Sequence, residues 1–281
     1  MADGAVAIVG AGRMGQGLAL ALMAKGRKVM LLGRGPRDAL APFCWEPAAW
    51  AATVAASDLV LVATPDAAIG TAAAQLAATG AVTARHTVLH LSGLRDRSAL
   101  EPLEPSGAAL GSFHPLQTVA DSRTAPDRLR GAFAGIEGDG RAVEQGEAMA
   151  LILGMRPVRV PSAGKVEYHL GATFAANYAA ALLGKAEELA LRAGIDPAVA
   201  GELYRPLLAG AAANIVALGP VAALTGAIRR GDLATVGAHL ARLGARDRRL
   251  YCDLGLVTLR LAREAGLAAG VADELERLLT E

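Results

Sequence analysis

Two groups of residues have the types and spacing to do chemistry. Gly10, Gly12 and Gly15 spell G-x-G-x-x-G directly after the apolar run Ala5 to Val9. In such a turn the first glycine permits the reversal and the second lets a pyrophosphate approach the backbone. The third lets the following helix pack against the strand, with its N-terminus facing the phosphates. The helix is expected over Met14 to Ala24, and Arg13 and Met14 are expected to contact the nucleotide with the glycines. The second group is Lys165 and His169, spaced i, i+4 on one helix face, with Thr173 and Asn177 continuing the line. A lysine can give up a proton where an arginine stays charged. The chain has 24 arginines, four lysines and two asparagines, so Lys165 and Asn177 are not generic polar filler. A cation is also unfavourable at the start of a helix. Leu170, Phe174 and Ala180 to Leu183 predict a largely buried helix, in which Lys, His and Asn are costly unless paired or functional.

The second predicted strand, Lys28 to Leu32, leads into Gly33-Arg34-Gly35-Pro36-Arg37. A site for NAD places an acid here to accept from the ribose hydroxyls. The acid is missing, and Arg34 and Arg37 offer guanidinium forks suited to a phosphate, which predicts NADPH with Gly33 in the same turn. The next strand, Asp58 to Ala63, runs into Thr64-Pro65-Asp66; Ala63, Thr64 and Pro65 are expected to wall the cofactor, and Asp66 to cap the helix from Ala67 to Ala78. Ser92 follows the strand Thr87 to Leu91, and His114 follows Ala108 to Phe113, held extended by Pro115. Both are expected to face the cleft, His114 with a hydrogen bond for a substrate carbonyl or carboxylate. A Ser–His nucleophile is disfavoured, because no G-x-S-x-G elbow is present.

Further strands are predicted at Ala132 to Ile136 and Pro157 to Val160, with a helix from about Arg141 to Leu153 between them. Strands alternating with helices predict a doubly wound, mostly parallel α/β domain over 1–160. From Ser162 onward strand signals vanish. Helices are expected at about 163–193, 197–217, 232–243, 246–265 and 270–280, an all-α domain over 161–281, with Asp196 capping the second and Pro197 in its first turn. Arg229 and Arg230 read as complements to a helix end, and His239 as structural.

Composition narrows the class. An apolar fraction of 53% with 20% charge supports a buried core, and a net charge of +1 gives no electrostatic footprint for nucleic acid. The longest apolar stretch, about Leu207 to Leu224, contains Asn214, Gly219 and Pro220 and falls short of a membrane span. Cys44 and Cys252 form neither metal-type spacing nor a disulfide framework, which fits a reducing cytoplasm. No signal peptide is recognised, no metal site is expected, and the alanine-rich helices suggest a homodimer.

The chain resembles the Rossmann-like proteins with a C-terminal domain of unknown function 2520. The matching segments are His90-Leu91-Ser92-Gly93, Ser112 to Gln117, Gly135 to Asp139, Lys165 with Tyr168-His169, Phe174 to Tyr178, and Ala223 to Asp232. More broadly it resembles the superfamily of 6-phosphogluconate, β-hydroxyacid and ketopantoate dehydrogenases, whose first long C-terminal helix carries a catalytic lysine. In those relatives an asparagine follows the lysine by four residues; here His169 stands in that place. The resemblance implies an NADP-dependent oxidoreductase. With the residue reading, it gives an expected hydride transfer from NADPH to a small carbonyl or imine, 2-oxo or β-keto acid-like, at an interdomain cleft. Lys165 would be the proton donor, His169 and Asn177 would position the substrate, and His114 and Ser92 would line the cleft. The Ser-Phe-His-Pro segment also resembles prephenate dehydrogenases, so a prephenate- or arogenate-type oxidation is an alternative, as is a regulatory protein that binds NADP without turnover.

Overall fold

The computed structural model describes residues 4–33, 38–44 and 46–281. Arg34 and Arg37, expected to meet a phosphate, lie outside the described residues. The chain divides into two compact units, Met1–Ala179 and Ala180–Glu281.

The first unit is built on one sheet of eight strands: β1 (Ala5–Val9), β2 (Val29–Leu32), β3 (Phe43–Cys44), β4 (Ser57–Val62), β5 (Thr87–His90), β6 (Ala109–Pro115), β7 (Phe133–Gly138) and β8 (Arg156–Arg159). Their order is β3-β2-β1-β4-β5-β6-β7-β8. All neighbours are parallel except β6 and β7. The doubly wound α/β expectation therefore stands, with one added strand: β3 is too short to show a period of two in the sequence. The helices α1 (Arg13–Met23), α2 (Pro47–Ala55), α3 (Ile69–Ala78), α4 (Ala125–Leu129) and α5 (Gly140–Ile152) connect or cover the strands. Side chains alternate across the sheet. Ile8, Leu31, Leu61, Leu89, Phe113 and Ile136 form one core with α1, α4 and α5. Val9, Leu32, Val60, Val62, Val88 and Leu110 form the other with α2, α3 and the 3₁₀ segment Arg97–Ser106.

Helix α6 (Lys165–Ala172) follows, then a π-helical turn at Thr173–Asn177 and α7 (Tyr178–Arg192). The single helix expected over 163–193 is thus interrupted, and the wide turn shifts the helix register after Ala172. Its apolar residues are also less buried than expected: Leu170 is 48% exposed and Phe174 61%, while Lys165 is only 2% exposed.

The second unit is all-α: α8 (Pro197–Leu203), α9 (Arg205–Leu218), α10 (Pro220–Ala223), α11 (Ala227–Arg230), α12 (Leu233–Ala241), α13 (Ala245–Glu264) and α14 (Ala269–Thr280). The helix expected over 197–217 breaks at Tyr204, just before Pro206, which cannot donate a helix hydrogen bond. Asp196 caps α8 by accepting from the Ala198 N–H at 2.8 Å. Val236, Leu240, Leu259, Ala272, Leu275 and Leu279 form this unit's core. Arg229 donates to the Ala265 carbonyl just past α13, as a helix-end complement should, and His239 pairs with the Tyr251 hydroxyl at 3.0 Å. Among the described residues no helix is long and apolar enough to cross a membrane.

Candidate active site

The glycine turn sits at the carboxyl ends of β1 and β4. Gly10 has φ +117°, a conformation side chains disfavour, and an added Cβ would lie 2.5 Å from the Ala63 carbonyl oxygen. A cavity of about 320 Å³ opens here, lined by Gly10, Gly12, Leu32, Gly33, Ala63, Thr64, Pro65 and Trp50, among others. Of the residues expected to hold a nucleotide, Gly10, Gly12, Gly33, Ala63, Thr64 and Pro65 are therefore together. Gly15 is buried in α1; Arg13 is exposed and Met14 half-buried, and neither lines this cavity. Three features suit a phosphate-bearing nucleotide. The space beside Gly12 is open where a Cβ would project. No side chain caps the N-terminus of α1. The Thr64 hydroxyl and the Trp50 indole N–H, both buried in this wall, have no partner among the described residues. Trp50 was not singled out by the sequence, because α2 carries no motif.

The second cluster is assembled by sheet register. His90 on β5 is paired with Ser112 on β6, and Ser112 with Glu137 on β7, so three polar side chains form a row across the sheet. Lys165, the first residue of α6, closes over this row. Its ammonium donates to Ser112 Oγ at 2.6 Å and to the Ser92 carbonyl at 3.3 Å. The Ser112 hydroxyl donates to Glu137 Oε2 at 3.2 Å. Glu137 Oε1 accepts from the Ser162 hydroxyl at 3.0 Å and from the Arg97 backbone N–H at 3.3 Å. Burial pushes the Lys165 amine below its ordinary value, opposed by Glu137, Asp96 and Asp66. His90 accepts from the Ser92 N–H and donates from Nε2 to the Asp96 carbonyl at 2.9 Å. Burial holds it neutral, down to about 4.

Asp66 does not cap a helix. It opens a 3₁₀ turn with no side-chain cap, and its carboxylate accepts from the Ser92 hydroxyl at 2.8 Å. That hydroxyl also accepts from the Leu94 and Arg95 N–H groups. Ser92 thus organises its own loop and presents its carbonyl to Lys165.

The third feature is a cavity of about 500 Å³ lined by His114, Gln117, Tyr168, His169, Thr173 and Asn177, among others. It brings together three of the five expected catalytic residues; Lys165 and Ser92, bonded to one another, are outside its lining. The Tyr168 hydroxyl and His114 Nδ1 share a hydrogen bond at 3.0 Å. Gly93 is wedged between the rings of His114 and His169, where an added Cβ would meet both within 2.9 Å. Burial, then the charges of His169 and Lys165, lower His114 to about 4, and burial raises Tyr168 to about 12. Both are neutral at physiological pH. The π turn widens the backbone along this cavity, so Asn177 reaches its lining although an ideal helix would have carried it further round. Sequence reasoning missed Glu137, Ser112 and Ser162; the signal was a lone acid in the apolar strand Phe133–Gly138 and a serine two residues before His114.

Residues 132–258 match the family described as domain of unknown function DUF2520, and residues 5–88 match the family described as NADP oxidoreductase coenzyme F420-dependent. No curated protein matches. The fold is that of BF3122 from Bacteroides fragilis, at 22% identity over 94% of this chain and 98% of that one, with a TM-score of 0.66. TM1727 from Thermotoga maritima is similar at 23% identity over 96% and 98%, with a TM-score of 0.65. A reductive aminase from Aspergillus terreus, solved with NADPH and ethyl levulinate, aligns at 21% identity over 99% and 93%, with a TM-score of 0.59.

Proposed function

We propose that this chain, a Rossmann-like protein with a C-terminal domain of unknown function 2520, is an NADPH-dependent oxidoreductase that reduces a small carbonyl or imine. The observation that carries the reading is a lysine ammonium held almost fully buried, in the same unit as a glycine-lined cavity with unmatched hydrogen-bonding atoms. Gly10, Gly12, Gly15, Arg13, Met14, Gly33, Ala63, Thr64 and Pro65 would hold the nucleotide, and Arg34 and Arg37, outside the described residues, are the sequence's candidates for a phosphate. Among the described residues the 320 Å³ cavity has no carboxylate in its lining, which supports NADPH over NADH. When bound, NADPH supplies the hydride. Lys165 holds a proton for the substrate's oxygen or nitrogen; an acceptor atom that replaces the Ser92 carbonyl at Nζ takes it there. His114, His169, Tyr168 and Asn177 orient the substrate. Among the described residues the larger cavity has neither Asp, Glu, Lys nor Arg in its lining, which favours an uncharged substrate body beside the reacting end at Lys165, and the reductive aminase among the structural relatives supports an imine as much as a ketone.

The test is NADPH oxidation against 2-oxo acids, β-keto acids and cyclic imines, in the wild type and in K165A and Y168F. K165A is expected to lose turnover by about 10²–10⁴-fold, the range of general acid catalysis, with NADPH affinity kept within a few-fold. Turnover retained within a few-fold removes Lys165 from the mechanism, and a comparable loss in Y168F alone moves the proton to Tyr168. The reading extends to a cytoplasmic homodimer. Helix α9 buries none of its residues and leaves Leu207, Ile215, Val216 and Leu218 at 50–87% exposure, an apolar face that a second copy would cover. Sedimentation velocity at micromolar concentration is expected to give twice the chain mass; a single-chain mass overturns the dimer.

A further inference from the structure

The Lys165 cluster contains more than is needed to seat an ammonium. A buried lysine that gives its proton to a substrate must be recharged, and Lys165 is only 2% exposed. Its hydrogen-bond partners do not stop at a counter-charge. They continue from Nζ to Ser112 Oγ at 2.6 Å, from Ser112 to Glu137 Oε2 at 3.2 Å, and from Glu137 Oε1 to Ser162 Oγ at 3.0 Å. Ser112 and Glu137 are buried, while Ser162 is exposed. Every member either carries a hydroxyl or is a carboxylate, and each can both accept and release a proton.

We infer that Ser112, Glu137 and Ser162 form a proton path from solvent to Lys165. This rests on the reading of Lys165 as proton donor. After Lys165 has released a proton it is a neutral amine beside the Glu137 carboxylate. Ser162 accepts a proton from water and passes its own hydrogen to Glu137 Oε1, making a neutral acid. A half-turn of the carboxyl group brings that O–H to Ser112 Oγ. Ser112 accepts it and passes its own hydrogen to Nζ. One proton has moved from solvent to Lys165, Glu137 is again a carboxylate, and both serines are unchanged. The Arg97 backbone N–H donates to whichever carboxyl oxygen lies on the Ser162 side before and after the half-turn, and the β6–β7 register places Ser112 opposite Glu137. Asp66 and Asp96 also face the ammonium electrostatically, but Asp66 is engaged with the Ser92 hydroxyl and Asp96 with Ser98.

The chain's four lysines, Lys25, Lys28, Lys165 and Lys185, make the test direct. In protein labelled with 15N at the lysine side chains, the exchange of each ammonium with water is measured by NMR on the whole chain, without nucleotide or substrate. S112A and S162A are each expected to slow exchange at Lys165 at least tenfold and leave the other three lysines unchanged. A Lys165 signal lost to fast exchange in the wild type and recovered in the variants is the same result. Exchange unchanged in S162A, a change at an exposed residue that leaves the Arg97 N–H on Glu137 Oε1, overturns the path. Because no turnover is needed, this failure is distinct from failure of the reductase reading, which K165A tests. With a substrate in hand, both serine variants are expected to lower kcat about tenfold and leave the KM for NADPH unchanged; lowered kcat with unchanged exchange also overturns the path.

Discussion

The glycine-lined cavity and the Lys165 cluster belong to the same unit and are built on opposite principles. The cavity is mostly backbone and small side chains, and its buried polar atoms, the Thr64 hydroxyl and the Trp50 indole N–H, have no partner among the described residues. In the cluster, the polar side chains are already matched by others on β6, β7 and α6. A site that keeps its hydrogen-bonding capacity for a ligand can lose that ligand and stay folded. A site that uses its capacity on itself ties chemistry to stability, since a half-satisfied buried network is worse than none.

The largest effect should come from breaking the cluster at its acid. E137A leaves the Lys165 ammonium buried without the carboxylate that acts on it most strongly, and Ser112 without an acceptor. An uncompensated buried charge and unmatched buried donors together cost about 2–5 kcal/mol, and urea unfolding of E137A is expected to show a loss in that range. A loss under about 1 kcal/mol means that Asp66 and Asp96 suffice to compensate the ammonium, and the contrast between the two sites disappears.

Acid should separate the sites next. His90 titrates near 4 in the native protein against an ordinary 6.5. Between those values the unfolded chain binds a proton that the native one does not, so stability is complete above about pH 6.5. It falls as the pH drops to about 4 and is flat below for this group. At about 1.4 kcal/mol per unit, the loss from His90 is about 3 kcal/mol, and His114 adds in the same direction. Urea midpoints at pH 7 and 4.5 check this. H90N should flatten the dependence, and an unchanged slope in H90N assigns it elsewhere. Among the described residues the smaller cavity has no titratable side chain in its lining, so substitutions there should leave the slope alone.

The same contrast explains what the sequence made legible. The glycine turn is local: strand, G-x-G-x-x-G and helix lie within 19 residues of one another, from Ala5 to Met23, and their spacing states their geometry. Lys165 and His169 stood out for the same reason, one turn apart on a helix, although Lys165 is bonded to Ser112 and His169 lines the larger cavity. Glu137 and Ser112 were not, because their meeting depends on β6 and β7 running antiparallel in a sheet otherwise parallel, with Ser112 opposite Glu137. Asp66 misled because a short acid after Pro65 is an ordinary helix cap, and only the fold brings the Ser92 hydroxyl to it. The π turn escaped because its five residues, Thr173–Asn177, fit an ordinary helix equally well.

The smallest effect on the fold, and the cleanest on binding, belongs to Gly12. Its backbone, at φ −75° and ψ −179°, suits any residue, and a Cβ there meets nothing within 4 Å. G12A should therefore keep its Tm. The added methyl group would occupy the space through which a pyrophosphate approaches the backbone at the N-terminus of α1. NADPH affinity should fall at least tenfold, about 1.4 kcal/mol, as measured by calorimetry or by quenching of the Trp50 emission from the same cavity wall. Wild-type affinity in G12A would place the phosphates away from this turn. A fall in Tm matching the fall in affinity would mean that the glycine turn, like the cluster, cannot be altered for binding without cost to the fold.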